Sequence, residues 1–281
     1  MHIAKETPVL KRQFEQQVAL TSELDFFNQI WVQDILHHNW CYLTDNESNI
    51  YVRLPYVKKF GLKAYLQPLF IRSLHVFSTA QSNEIVRALR QKLFLHVNLD
   101  HPSTKDSRPG IFQKLTWKEG IDEIRSGYSD NVKRSLKKAS TLQLKAISYQ
   151  DFQTFFVAQK GENLGNLKKE SWLRLAQLFA KAQAMDAAFC VGAFDQERLV
   201  AAALFFKWKD QLYFMKGTLN DHGKKNGALV YLIDAVLERN AGTHKALDFI
   251  GSNQESIAAF YRKFGAKDYK YSIVKGRFPI L

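Results

Sequence analysis

The sequence predicts an α/β protein, and three observations carry that expectation. Short runs rich in β-branched and aromatic residues alternate with stretches of helical period along most of the chain. One long amphipathic helix, at 227–240, lies between two strand-like runs, Gln211–Thr218 and Ala246–Ile250. The chain of 281 residues is 46% hydrophobic, enough to bury a substantial core as one large domain or two small ones.

The elements follow in order. Ser22 precedes Leu24–Leu36, with Leu24, Phe27, Trp31 and Ile35 on one face, which predicts a capped helix. Trp40–Thr44 and Ile50–Pro55 are short strands joined by a polar hairpin-type turn. Ala64–Leu74 reads as a strand, with Pro68 confining it to an edge or a bulge. Ser82–Lys92 reads as a helix and Phe94–Leu99 as a strand. His101–Gly110, rich in Pro, Ser, Lys and Asp, is the best linker, dividing an N-terminal half at 1–110 from a C-terminal half at 111–281.

Past the linker, Gly120–Gly127 and Ser129–Ala139 are helical and Gln143–Ser148 is extended. Asp151–Gln159 and Ser171–Met185 are helices. Ala187–Phe194 and Leu199–Lys207 form a hairpin around Asp195-Gln-Glu-Arg198, and Gln211–Thr218 follows as a third strand. Leu229, Leu232, Ile233, Val236 and Leu237 make one apolar helical face. After the strand Ala246–Ile250, Ser252-Asn-Gln-Glu255 has the form of a capping box. The helix it opens carries Ile257, Phe260, Tyr261 and Phe264 on one face and ends at Gly265, before a last strand at Tyr269–Val274.

The formal charge is +13, from 40 Lys and Arg against 27 Asp and Glu, spread through folded-looking sequence. It implies an anionic partner, whether a phosphorylated cofactor, a nucleic acid or an acidic envelope component. No apolar run spans a membrane and no signal-peptide core opens the chain. Cys41 and Cys190 lie far apart in strand-like runs, which reads as buried thiols in a reducing, cytoplasmic compartment. No Cys/His spacing suggests a metal, His37-His38 reads as a surface feature, and Trp117, Trp172 and Trp208 form no stacking ladder.

Gly223-Lys-Lys-Asn-Gly227 stands at a strand-to-helix junction. Unpaired N–H groups, the positive end of the helix dipole, two lysines and two glycines together fit a phosphate site. The same five residues also fit a solvated turn with Asn226 as a cap.

The order helix–helix–β–β–β–helix–β–helix–β of the second half resembles the GNAT acyltransferase fold. Tyr261-Arg-Lys-Phe-Gly265 looks like that superfamily's terminal Tyr-x-x-x-Gly helix. Lys216-Gly-Thr, the helix at 227–240, Leu247-Asp-Phe-Ile-Gly251 and Phe260–Gly265 resemble the Fem-type peptidyltransferases and FemAB-like acyltransferases. Asn131–Ala139 looks like their basic "Lys-Ala" helix, so the resemblance covers roughly residues 125–275. It implies two tandem GNAT-like halves. One departure stands out: GNAT enzymes grip the CoA pyrophosphate with an Arg/Gln-x-x-Gly-x-Gly/Ala loop. Here Lys224-Lys-Asn-Gly227-Ala-Leu has one glycine in register and lysines in place of Arg or Gln.

The resemblance implies transfer of an acyl group, held in a splay between the strands ending near Thr218 and Ile250, to a small-molecule or peptide amine. Lys216, Gly217 and Thr218 would offer oxyanion donors, and Lys224, Lys225, Asn226, Gly227 and Ala228 would hold the donor's phosphates. Asp248 would orient or deprotonate the amine, or else cap Ser252 or pair with a lysine. Tyr261 would protonate the leaving thiolate, or else be a core aromatic. Lys133, Arg134, Lys137 and Lys138 form a basic stripe, read as a solvated helix face or as a contact to tRNA or an anionic acceptor. Acyl-CoA is the first expectation for the donor, because the chain is shorter than Fem-type enzymes and shows no long coiled-coil insertion for tRNA. An aminoacyl-tRNA-dependent transferase acting on a cell-wall precursor and a non-catalytic anion-binding protein of the same fold are the rivals.

Overall fold

A computed structural model describes residues 1–21, 24–47, 49–59, 61–78, 81–101, 103–160, 169–251 and 253–278. The chain divides into two compact units, Met1–Ile111 together with Lys270–Leu281, and Phe112–Tyr269.

The first unit opens with β1 (His2–Lys5) and α1 (Pro8–Leu20). Thr7 caps α1, its Oγ1 accepting the Leu10 N–H at 3.2 Å, and Pro8 sits where a missing N–H costs nothing. A single 3-10 turn (Phe26–Asn28) and α2 (Ile30–Leu36) follow. The single helix expected over Leu24–Leu36 is therefore two pieces. Gln29 is extended (φ −67°, ψ 136°) between them, and the Asp25 carboxylate accepts the Asn28 N–H at 2.9 Å. Ser22, the expected cap, lies outside the described residues.

β2 (Trp40–Thr44) and β3 (Ile50–Pro55) form the expected hairpin, with β1 on the far side of β2. β4 (Val57–Lys59), β5 (Leu62–Leu66), α3 (Ser82–Arg90) and β6 (Leu95–Leu99) complete this part of the chain. The strand expected over Ala64–Leu74 stops at Leu66, because Pro68 has no N–H for a ladder and Phe70 turns the chain at φ 71°. β4, β5 and β6 lie side by side, and the last strand, β13 (Lys267–Lys275), adds to β6 through Lys275↔His96, Val274↔Val97 and Ser272↔Leu99.

Arg53 anchors this unit. Its side chain is 1% exposed, with the guanidinium 4.4 Å from the Trp40 ring centroid and 5.6 Å from that of Phe14. It donates to Asp34 at 2.6 Å, Glu6 at 3.1 Å and Gln33 at 3.2 Å. Cys41, in β2, is buried and free, as is Cys190 in the second unit.

In the second unit, β7 (Arg108–Thr116), α4 (Ile121–Ser126) and α5 (Asp130–Lys138) precede β8 (Leu142–Ile147). Two helices, α6 (Tyr149–Lys160) and α7 (Lys169–Ala184), then lead to the hairpin strands β9 (Ala188–Asp195) and β10 (Arg198–Trp208). β11 (Gln211–Leu219), α8 (Asp221–Lys225), α9 (Ala228–Asn240), β12 (Ala246–Asp248) and α10 (Glu255–Arg262) follow. α10 begins after Gln254 rather than from a box at Ser252, a residue outside those described. Gly265 ends the helix as expected, at φ 85° with its N–H on the Arg262 carbonyl at 2.9 Å.

The strands lie in the order β7-β12-β11-β10-β9-β8, and β11–β12 is a parallel pair bridged by α9. Ala201, Ala203, Phe205, Leu212 and Phe214 face α9 in one apolar core with Leu232, Ile233 and Val236. Alternate residues face the other way, where α6 packs on β9, β10 and β11. Asp234, buried on α9, is held by Arg125 of α4 at 3.1 and 2.8 Å and by the Tyr128 hydroxyl at 2.9 Å. No helix of the described residues is long and apolar enough to cross a membrane.

Arg53→Met leaves the Glu6 and Asp34 carboxylates without their shared cation. It should destabilise the protein by about 3 kcal/mol or more, read as a lower denaturation midpoint in urea. A loss below about 0.5 kcal/mol would remove Arg53 as the anchor of this unit.

Candidate functional site

β11 and β12 pair only at Gln211↔Ala246, Leu212↔Leu247 and Tyr213↔Asp248. β12 then ends, while β11 continues to Leu219. The cause is local. Ile250 and Gly251 take φ 60° and 91°, conformations that turn the chain out of the sheet. Asp248 holds that turn, its Oδ1 accepting the Ile250 N–H at 2.6 Å. The Phe249 N–H goes to the Gln113 carbonyl at 3.0 Å, on the β7 side and away from β11. The two parallel strands therefore part after Asp248, and β11 presents its edge from Phe214 onward.

β11 is irregular at the same place. Its register against β10 steps from Phe205↔Phe214 to Leu204↔Lys216, which leaves Met215 as the extra residue of a β-bulge. Register puts Lys114, Asp248 and Tyr213 in one row on the face toward α6, with Lys216 and Thr218 further along β11 on that face. Thr218 is 1% exposed, and its Oγ1 is buried with no hydrogen-bond partner among the described residues. Burial pushes the Lys216 ammonium below the ordinary lysine range, and it has no ion-pair partner among the described residues. Both groups stand on the β11 segment that runs on past the end of β12.

Tyr261 stands on the opposite face. Its ring stacks on Phe249 with centroids 4.2 Å apart and planes 18° apart, and meets the edge of Phe214 at 6.1 Å. Burial raises its phenol to about 12, so the hydroxyl keeps its proton at neutral pH. Asp248 and Tyr261 thus flank the end of β12 from its two faces.

The junction after β11 is a strand-to-helix junction, as expected, with a short helix, α8, inserted before α9. Asn220 caps α8, its Oδ1 accepting the Gly223 N–H at 2.8 Å. A Cβ on Gly223 would lie 2.3 Å from the Val200 carbonyl oxygen. Gly227, at φ 69°, would place a Cβ 2.9 Å from the Ser135 carbonyl oxygen of α5. Both glycines admit the chain's own backbone, one of the two close approaches that glycines at such a junction allow. Asn226 is engaged by His222, whose Nε2 lies 3.0 Å from Asn226 Nδ2 and 2.6 Å from Asp195 Oδ2.

What remains at the junction is charge and a helix start. Ala228 is buried as the first residue of α9, and Gly227 gives no side-chain cap. Lys224 and Lys225 are exposed and have no carboxylate partner among the described residues. The Gly227–Ser135 contact sets α5 beside them, with Lys133, Arg134, Lys137 and Lys138 all exposed. The structure therefore brings together the two basic features that stand about 90 residues apart in sequence.

Lys114, opposite Asp248, was not expected from the sequence, nor was the His222–Asp195 pair. Lys114 also lines a groove of about 440 Å³ with Lys118, Lys245, Lys267, Glu123 and Asp210 at the start of β11 and β12. The Asn220 cap did carry a signal, a cap-type residue just before an acid-first helix. Among the described residues, no three His, Cys, Asp or Glu side chains group to hold a metal.

Gly223→Ala should lower the stability of the ligand-free protein by about 1–3 kcal/mol through backbone overpacking, read by urea denaturation. Unchanged stability with lost ligand binding would return Gly223 to a ligand-contact role.

No protein-family model matches the sequence, and no curated protein matches it. Solved structures do match in fold. FemX aligns with a TM-score of 0.61 at 8% identity, over 97% of both chains. The C-terminal domain of a protein assigned as a lysylphosphatidylglycerol synthetase from Agrobacterium fabrum aligns at 0.53 and 9% identity, over 94% of this chain and 92% of that one. A tandem GNAT protein from the clavulanic acid biosynthesis pathway aligns at 0.50 and 10% identity, over 97% and 96%. The chain thus shares the α/β fold of FemX and of the tandem GNAT protein, a GNAT-like fold.

Proposed function

We propose that the second unit transfers an acyl group from acyl-CoA to an amine. The observation that carries this reading is the parting of β11 and β12 beside the desolvated, unpaired Lys216. An acyl carbonyl entering the opening meets the free edge of β11 around the bulge at Met215. Backbone N–H groups from Lys216 to Thr218 and the Lys216 ammonium then supply donors where negative charge develops. Low local polarity strengthens each of those contacts.

In the proposed step, the amine nitrogen forms a bond to the acyl carbon and the carbon–sulfur bond breaks. The amine's proton passes to the Asp248 carboxylate, on the same face as Lys216. The departing thiolate takes a proton from the Tyr261 hydroxyl on the other face. The phosphates of the donor rest among Lys224, Lys225 and the start of α9, with the α5 cations Lys133, Arg134, Lys137 and Lys138 close by.

A second reading has its own support. Gly223 and Gly227 are filled by Val200 and Ser135, so the close backbone approach that a CoA pyrophosphate uses is reduced. An aminoacyl-tRNA donor needs the cations but not that room, and a Fem-type structure is among the matches.

Thermal denaturation against an acyl-CoA series, with free CoA as control, separates the two. A CoA-dependent enzyme at a hundredfold excess over Kd should gain about 2.7 kcal/mol, a rise of several degrees that Lys224→Ala/Lys225→Ala abolishes. Absence of any shift, with tight and salt-sensitive binding of tRNA instead, would replace CoA by the tRNA reading.

Asp248 serves two roles that substitution can divide. Asp248→Asn keeps an oxygen for the Ile250 N–H and should hold stability within about 1 kcal/mol while turnover falls about a hundredfold or more. Asp248→Ala should lose both. Full turnover in the Asn variant would confine Asp248 to shaping the turn.

A further inference from the structure

Three segments of the first unit share one composition. Lys58 and Lys59 end β4 and Leu62 and Lys63 open β5, Lys92-Leu-Phe94 leads into β6, and Lys275-Gly-Arg-Phe278 closes β13. Together they hold six cations and no carboxylate. Strand pairing brings them to one end of the sheet. β5 and β6 run parallel through Tyr65↔Leu95, which sets Leu62 and Lys63 beside Lys92 and Leu93. The Arg277 N–H reaches the Lys92 carbonyl at 3.0 Å, and the Phe278 N–H reaches the Leu93 carbonyl at 2.9 Å.

This end exposes what folding usually hides. Leu62 is 55% exposed, Leu93 47% and Phe278 53%. Lys58, Lys275 and Arg277 are exposed around them, and Lys63 lies 4.5 Å over the Tyr56 ring. None of Lys58, Lys63, Lys92, Lys275 and Arg277 forms an ion pair among the described residues, and Arg277 donates to the neutral side chain of Gln91.

We propose that this end of the sheet docks on an anionic lipid bilayer. Leu62, Leu93 and Phe278 would enter the headgroup–acyl boundary, and the cations would meet lipid phosphates. Charge complementarity selects this occupant. A second copy docking face to face would set cations against cations without a carboxylate to relieve them. A nucleic acid backbone would match the charge but would leave the three apolar tips without a partner. The surface is distinct from the acyl-transfer site and does not depend on that assignment.

The test is co-sedimentation with sucrose-loaded vesicles of phosphatidylcholine alone, or with about 30% phosphatidylglycerol, an anionic content at which polybasic surfaces bind. The wild type should bind the anionic vesicles and not the neutral ones. Leu62→Ser/Leu93→Ser and Lys58→Glu/Lys275→Glu should each weaken binding about tenfold or more, with melting temperatures showing that both variants fold. Lys133→Glu/Lys137→Glu, which changes net charge equally on α5, should stay within about twofold. No binding to anionic vesicles, equal binding to both kinds, or equal loss in the α5 variant would overturn the proposal. So would a dimer in light scattering that the leucine variant dissolves, because that assigns the surface to a second copy.

Discussion

The turn that ends β12 is the constraint on which the candidate site depends. A parallel pair ordinarily continues until its strands run out, since each further residue satisfies backbone donors and acceptors. Here the pair stops after Tyr213↔Asp248 while β11 runs on to Leu219. Asp248 makes the stop by accepting the Ile250 N–H, which holds a β-branched residue at φ 60°. Such a residue in left-handed conformation is costly, of order 1–3 kcal/mol, and persists only where its surroundings enforce it. The free edge of β11, the bulge at Met215 and the row of polar side chains facing α6 all acquire their chemical meaning from that early end.

Buried polar groups in this fold are met in two ways. In the first, Arg53 is enclosed and its two terminal nitrogens are met by two carboxylates and an amide, with two aromatic rings against the guanidinium, while its Nε has no hydrogen-bond partner among the described residues. Such a network orders a core. Asp234 in the second unit is answered in the same manner by Arg125 and Tyr128. Lys216 and Thr218 are the contrast, desolvated by the same sheet and helices yet given no counterpart among the described residues. Burying a cation without its partner lowers stability, and under the proposed function Lys216 and Thr218 are offset by the bound acyl group.

Much of this was legible in the sequence where periodicity is strong. The hairpin at Trp40–Pro55, the strands β9 to β11 and the apolar face of α9 follow from alternation and helical spacing alone. α1 and β7 were not seen. α1 buries only Phe14, and β7 opens on Arg-Pro-Gly, which reads as loop. The glycines at 223 and 227 announce close approach correctly, but sequence does not say what approaches, and it is the backbone of Val200 and Ser135. Lys216 could be named from a motif. Its desolvation could not, because burial there is a product of α6 packing across β10 and β11.

Lys216, buried and without an ion-pair partner among the described residues, stands at the opening between β11 and β12. Competitive labelling of lysines across a pH series, read peptide by peptide in a mass spectrometer, measures this directly. Burial lowers the pKa of Lys216 in the folded protein, so its neutral, reactive form should appear at lower pH than it does in the unfolded chain. The same displacement makes its charge a burden at neutral pH, a burden relieved as pH rises from the lowered pKa to the ordinary lysine value. The account predicts early titration of Lys216 and protection once an acyl donor fills the opening. Titration as in the unfolded chain, unchanged by any donor, would contradict it.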